Sequence, residues 1–216
     1  MEFPSIEIAQ QLFVLHPSKA LYVKESETLV ISDLHIGKVE HFRKNGILIP
    51  AQANKNNFWR LVEAVEAFKP KRIVFLGDVA HSQHNHEWDE FVDVLDQFPE
   101  MQRVLVEGNH DIFDRKVYEA SKIEVVDFLL ENGVKWVHEP CDSESGEYVI
   151  AGHIHPAIRM YGEARQGLRL PCFLFGEKQG LMPAFGEFTG TFTVRPKKVT
   201  TYLWSLIKSY SGKIIF

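Results

Sequence analysis

RVLVEGNHD, residues 103–111, runs from a nearly continuous apolar stretch into Gly108 and then into Asn109, His110 and Asp111. A run of that kind suits a strand buried on both faces. A turn can use the three polar residues simply as turn formers. A metal site can use them as a ligand, a proton donor and an orienting carboxylate. Read outward, the chain repeats the pattern. TLVIS (28–32) enters Asp33-Leu34-His35, and RIVFL (72–76) enters Gly77-Asp78. KWV enters His138, and YVIA enters Gly152-His153-Ile154-His155.

Helical patterns separate the first three of these runs. In NNFWRLVEAVEAF, Phe58, Leu61, Val62, Val65 and Phe68 share one face, and in EWDEFVDVLDQF so do Trp88, Phe91, Val92, Leu95 and Phe98. Strand, helix, strand, helix, strand reads as βαβ units around a largely parallel sheet. QLFVL at 11–15 and ALYV at 20–23 add earlier strands. Past residue 120, Asn132-Gly133 between two strand-like runs signals a hairpin. Short strands are expected in LRLPCFLF, GTFTV and TTYLW, and the tail SLIKSYSGKIIF could close an edge. The expected architecture is α/β, a sandwich of two mixed sheets with helices outside, in a single domain over 1–216.

Composition agrees with a globular protein: 45% hydrophobic and 25% charged residues, with a formal net charge of −5. A strong nucleic-acid binder is usually basic, so bulk charge does not support that partner, although two divalent cations would nearly cancel the deficit. No apolar run approaches the length of a membrane span, and MEFPSIEIAQ lacks the pattern of a secretory signal. With only Cys141 and Cys172, a reducing, cytoplasmic setting is expected.

In parallel sheets the carboxyl ends of strands line the ligand crevice. Five strand ends here carry metal-ligand residue types, so they could converge. Asp33 and His35 are two apart, as are His153 and His155, and on a continuing strand each pair would face the same way. Glycines before Asp78, Asn109 and His153 remove bulk where strand becomes loop. Mixed carboxylate, amide and imidazole donors suit manganese, iron or zinc better than an all-oxygen calcium site or a thiolate site. A carboxylate such as Asp78 can bridge two ions.

D-x-H, GD, GNH plus an acidic residue, a lone His and GHxH, in this order, resemble the signature of the calcineurin-like metallophosphoesterase superfamily. DLHIGK, HFRKNGILIP, HEP, GHIHP, LPCF and MPAFGEFTG are further similar to its ICC-like branch, which includes bacterial ligase-associated DNA damage response endonucleases. The resemblance implies a four-layer αββα fold, two divalent metal ions (manganese ahead of iron or zinc) and phosphoester hydrolysis by a hydroxide shared between them. It implies Asp33, His35 and His155 at one metal, Asn109, His138 and His153 at the other, and Asp78 between. His110 matches the His that is not a ligand and faces the leaving oxygen. Many members carry GDxxD, whose second Asp orients that His; here the motif reads GDVAH, ending in His81. Asp111, a bridging water and His81 remain the candidates for that support. The branch further implies DNA as substrate and an association with a DNA ligase and a helicase. A phosphatase or diesterase for a small nucleotide is the alternative, and a silent binding scaffold would be expected to have lost ligands.

Lys38, Arg43 and Lys44 follow the first pair and read either as a solvated face or as phosphate-positioning groups. Lys38, Arg43 and His81 are the substrate-binding candidates. In HSQHNHEW, Asn85 is a candidate helix N-cap. Cys172, Trp136 and Phe128 read as core, while Phe185 and Phe188 either pack a sheet or line the cleft.

Overall fold

The computed structural model describes residues 3–38, 52–81, 84–161, 167–187, 189–194, 202–205 and 214–215, the last two stretches by their backbone. Strands β1 (Ser5–Ile8), β2 (Gln11–Leu15), β3 (Leu21–Val23) and β4 (Thr28–Ile31) form an antiparallel meander. From β4 the chain alternates with helices: α1 (Gln52–Phe68), β5 (Arg72–Leu76), α2 (His86–Leu95), β6 (Gln102–Val106), α3 (Arg115–Ala120) and β7 (Glu124–Val126). The strands β4 to β7 pair in parallel and in sequence order, completing a seven-stranded sheet. These are the expected βαβ units.

The remaining strands build a second mixed sheet of nine. They are β8 (Leu129–Glu131), β9 (Val134–Val137), β10 (Tyr148–Ala151), β11 (Pro156–Tyr161), β12 (Gly167–Phe175), β13 (Gln179–Leu181), β14 (Phe192–Thr193), β15 (Tyr202–Ser205) and β16 (Ile214–Ile215). Asn132 and Gly133, both at positive φ (49° and 77°), turn the β8–β9 hairpin as a two-residue loop of this type requires. Here β9 and β10 run parallel. The tail strand β16 pairs with β15, which pairs with β12.

Alternation along the central strands explains their unbroken apolarity. Leu29, Ile31, Ile73 and Phe75 pack against Phe58, Leu61 and Val65 of α1 and Trp88, Phe91 and Leu95 of α2. Val30, Val74, Leu76, Val104 and Val106 face the other way, onto Trp136, Ile150, Phe173 and Phe175 of the second sheet. Both faces of the central strands β4 to β6 are therefore dry, and the α/β sandwich of two mixed sheets is the architecture. All helices among the described residues that carry core side chains lie on the outer face of the first sheet. No described helix is long and apolar enough to cross a membrane.

Three side chains test the core assignments. Trp136 and Cys172 are buried, as expected. Phe128 is not: it stands 51% exposed with Lys135 Nζ 5.3 Å above its ring. It precedes β8, which ends the second sheet, so no neighbouring strand covers it.

Candidate metal centre

The carboxyl ends of β4, β5 and β6 lie beside those of β9 and β10. The ligand-type residues do not continue the strands. Asp33, His35, Asp78, His153 and His155 all adopt left-handed backbone, with φ between 51° and 59°. For non-glycine residues this conformation is costly and concentrates at functional sites. The pairs Asp33/His35 and His153/His155 thus meet their site through repeated left-handed turns, and not through the strand alternation expected from their spacing.

Two groups of donors result. Asp33, His35 and His155 form one, and Asp78, His138 and His153 the other, with ligand atoms in each group within 4.8 Å of one another. Asn109 joins the second, its Oδ1 3.1 Å from His138 Nε2. His153 Nδ1 lies 3.1 Å from the same nitrogen. Donor atoms about 2.1 Å from one ion and at right angles would stand about 3 Å apart. Asp78 faces both groups: Oδ1 is 3.3 Å from His138 Nε2 and Oδ2 is 3.7 Å from His35 Nε2.

Hydrogen bonds outside the groups fix which atoms point inward. His138 Nδ1–H donates to Leu76 O at 3.1 Å, and His155 Nδ1–H donates to Gly190 O at 2.9 Å. Each leaves its Nε2 lone pair free, the usual arrangement for a metal-ligating imidazole. Asp33 Oδ2 accepts from Ser32 Oγ and from His153 N, leaving Oδ1 to face the group. Burial, reinforced by Lys38 and neighbouring imidazoles, pushes His35 down to about 2, so this ring is neutral. His35 Nε2 is buried and makes no hydrogen bond among the described residues, while Asp33 Oδ1 and His155 Nε2 face each other at 2.9 Å. Buried polar atoms are nearly always satisfied; convergent lone pairs fit a cation.

The glycines are sterically required. A Cβ on Gly77, whose φ is +76°, would lie 2.0 Å from His138 Nδ1, and one on Gly108 would lie 2.5 Å from the Asp78 carboxylate.

The GNHD residues go three ways. Asn109 faces His138. The exposed His110 ring lies with its centroid 5.0 Å from His81 and 5.6 Å from His35, while its N–H donates to Asp78 Oδ1 at 2.9 Å. Asp111 turns back into the protein and is buried. Its carboxylate accepts from the N–H groups of Asp78 (2.7 Å), Val79 (2.9 Å), Ala80 (3.1 Å) and Gly108 (2.9 Å). The structure thus places Asp111 as a clamp between two loops. His81 Nδ1 is 3.2 Å from His35 Nδ1, at the ring nitrogen His35 turns away from its group. Lys38 is half-buried, within electrostatic reach of Asp78 and Asp33. Arg43, Lys44 and Phe188 lie outside the described residues.

Sequence reading did not single out Ser32, Leu76 O, Gly190 O or Arg60. The first three act through backbone or a short hydroxyl, which leaves no pattern. Of the four, only Gly190 falls within MPAFGEFTG at 182–190. Phe185 is fully buried in the outer core, its N–H donates to Ser32 O, and its carbonyl accepts from Arg60 Nη2 at 2.8 Å.

A family model described as calcineurin-like phosphoesterase matches residues 27–156. The chain belongs to the calcineurin-like phosphoesterase family. It is a metal-dependent phosphoester hydrolase, and the family implies two divalent metals for its two His/Asp clusters. Among solved structures it is similar to the Pseudomonas putida nuclease MPE: 28% identity, 94% of this chain, 96% of that one, TM-score 0.78. More distant are a protein of unknown function from Aquifex aeolicus (18% identity, 59% and 78% coverage, TM-score 0.43) and an Escherichia coli phosphoesterase (12%, 82% and 86%, TM-score 0.42). No curated protein matches the chain.

Proposed function

We propose that this calcineurin-like phosphoesterase cleaves phosphodiesters in DNA, as a manganese-dependent endonuclease serving DNA repair. The observation that carries the dinuclear reading is Asp78, whose two carboxylate oxygens each face one donor group. The nucleic-acid substrate is supported by the likeness to the P. putida nuclease across nearly the whole of both chains. Asp33, His35 and His155 would hold the first ion, Asn109, His138 and His153 the second, and Asp78 both. When bound, such ions supply an activated water and neutralise charge on the phosphoryl oxygens.

The chain's own residues do the rest. His110, carried on an exposed loop tip above the two groups, donates a proton to the leaving oxygen. Its main chain is fixed by the bond to Asp78, and His81 stands against its ring. His81 also holds the His35 imidazole from the Nδ1 side. Asp111 contributes by fixing the loops that carry Asp78 and Asn109. Lys38 supplies positive charge next to the first group, with Arg43 expected to extend it along a polyanion. The whole chain, 1–216, acts as one cytoplasmic domain, associated in function with a DNA ligase and a helicase.

A net charge of −5 favours a second reading, a phosphatase or diesterase for a small nucleotide. One experiment separates the two: apo-protein reloaded with manganese, iron or zinc, then offered single-stranded DNA, RNA, cyclic nucleotides and phosphomonoesters. Internal cleavage of DNA with manganese is the expected result. Turnover confined to mononucleotides would establish the second reading instead.

A further inference from the structure

Asp33 is fully buried just past β4, and its main chain is tied on both sides. Its N–H donates to Gly77 O at 3.1 Å, and its carbonyl accepts from the Gly186 N–H at 3.0 Å. With the backbone fixed, the direction of the carboxylate depends on what meets each oxygen. Oδ2 accepts from Ser32 Oγ and, at 3.1 Å, from the His153 N–H. Oδ1 faces His155 Nε2 at 2.9 Å. A carboxylate offers about four lone-pair sites, two on each oxygen. Both of those on Oδ2 therefore have a donor within the protein, and Oδ1 is left to the first donor group.

The Ser32 hydroxyl is built into this arrangement. Ser32 is 1% exposed, and its carbonyl accepts from the Phe185 N–H at 2.7 Å. The ionised carboxylate beside it can only accept, so the single hydroxyl proton points at Oδ2, a charge-assisted bond stronger than one between neutral groups. Gly152 closes the space from the second sheet. A Cβ there would run into Ser32 Oγ and lie 2.8 Å from Asp33 Oδ2. The next residue, His153, supplies the second donor, so one turn both confines the hydroxyl and completes the saturation of Oδ2.

We propose that Ser32 is a positioning residue that restricts Asp33 to ligation through one oxygen and thereby sets the metal preference of the first group. This rests on the dinuclear reading above and concerns which ion is held there. The first group presents the imidazoles of His35 and His155, Oδ1 of Asp33 and the Asp78 Oδ2 that faces His35. Calcium takes roughly six to eight oxygen ligands and accepts both oxygens of one carboxylate. Two imidazoles with single carboxylate oxygens suit manganese, iron or zinc better. Removing the hydroxyl leaves Oδ2 with one donor and one open lone pair. Asp33 can then offer both oxygens, which raises the oxygen count in favour of the larger ion.

The test follows manganese binding to the metal-free protein through the EPR signal of free manganese, with calcium as competitor. At saturating manganese, the calcium concentration that displaces half of one ion depends only on the ratio of the two affinities. The wild type should bind two manganese ions and hold both against a large excess of calcium. In Ser32→Ala one ion should yield at a calcium concentration lower by roughly 10–100-fold, while the ion held by Asn109, His138 and His153 resists as before. Ser32→Thr keeps the hydroxyl and should restore the resistance. The urea midpoint of each metal-free variant reports separately on packing. A role confined to packing weakens manganese and calcium alike, so an unchanged half-displacing concentration in Ser32→Ala overturns the proposal and leaves the two-metal reading intact. Equal loss of resistance at both ions overturns it as well. If the wild type binds fewer than two manganese ions, the dinuclear reading falls and the proposal with it.

Discussion

Asp111 gathers four backbone N–H groups from two loops, although it stands next to the residue expected to act on the leaving oxygen. Truncating it to alanine strands these donors, and a buried donor without a partner costs about 1–3 kcal/mol. Asp111→Ala should therefore lower the urea midpoint markedly and release metal from the second group, a pattern visible in equilibrium unfolding and metal analysis. His110 contrasts with it. His110→Ala should reduce turnover by roughly 10²–10⁴-fold with bound manganese unchanged; a full rate would remove it from the proposed mechanism. Three consecutive residues thus point three different ways, and the sequence EGNHD does not distinguish them. Residue type indicates what a side chain can do, while direction depends on backbone angles that the string does not display. The left-handed φ values of Asp33, His35, Asp78, His153 and His155 are the clearest instance, because nothing but the glycines beside some of them signals such turns.

Among elements, strands and helices were legible because their patterns answer to burial. A strand covered on both faces reads as an apolar run, and α1 and α2 read as one-sided helices. The N-cap at Asn85, which accepts from the N–H groups of Glu87 and Trp88, was legible from local chemistry. Segment 185–190 was harder, since it has no period, and its role depends on contacts more than a hundred residues away. Asn57 Oδ1 on α1 accepts from the Glu187 N–H at 3.0 Å, and Arg60 caps the Phe185 carbonyl. Thr189 closes the turn onto Gly186 O at 3.1 Å, and Gly190 then presents its carbonyl to His155. Arg60→Ala should loosen this chain of contacts at its root. In a titration with limiting manganese, the variant should lose affinity at the first group while the second fills normally. Equal weakening of both would show that the segment acts only on general stability.

At the scale of the molecule, Arg72 of β5 and Glu131 of β8 form a two-pronged ion pair across the two sheets, Nη1 to Oε1 at 2.8 Å. The hydrogen bond from Arg72 holds the Glu131 carboxyl below its ordinary value. A carboxylate depressed in the folded state contributes stability above its unfolded pKa of about 4.3 and loses it as pH falls through the folded value. Glu131→Gln should therefore melt below the wild type at pH 7, and the two should converge as the pH falls through the depressed folded value of Glu131. Each donor group also draws on both sheets. Asp33 and His35 follow β4 and His155 follows β10; Asp78 and Asn109 follow β5 and β6, while His138 and His153 follow β9 and β10. A cation in either group is consequently a cross-link between the sheets, comparable to a staple driven through both layers. At a hundredfold excess over Kd, one bound ion adds about 2.7 kcal/mol to the folded state. Chelation should lower the melting temperature and speed amide exchange along β9 and β10 before it reaches β2 and β3, because those two strands carry no donor of either group.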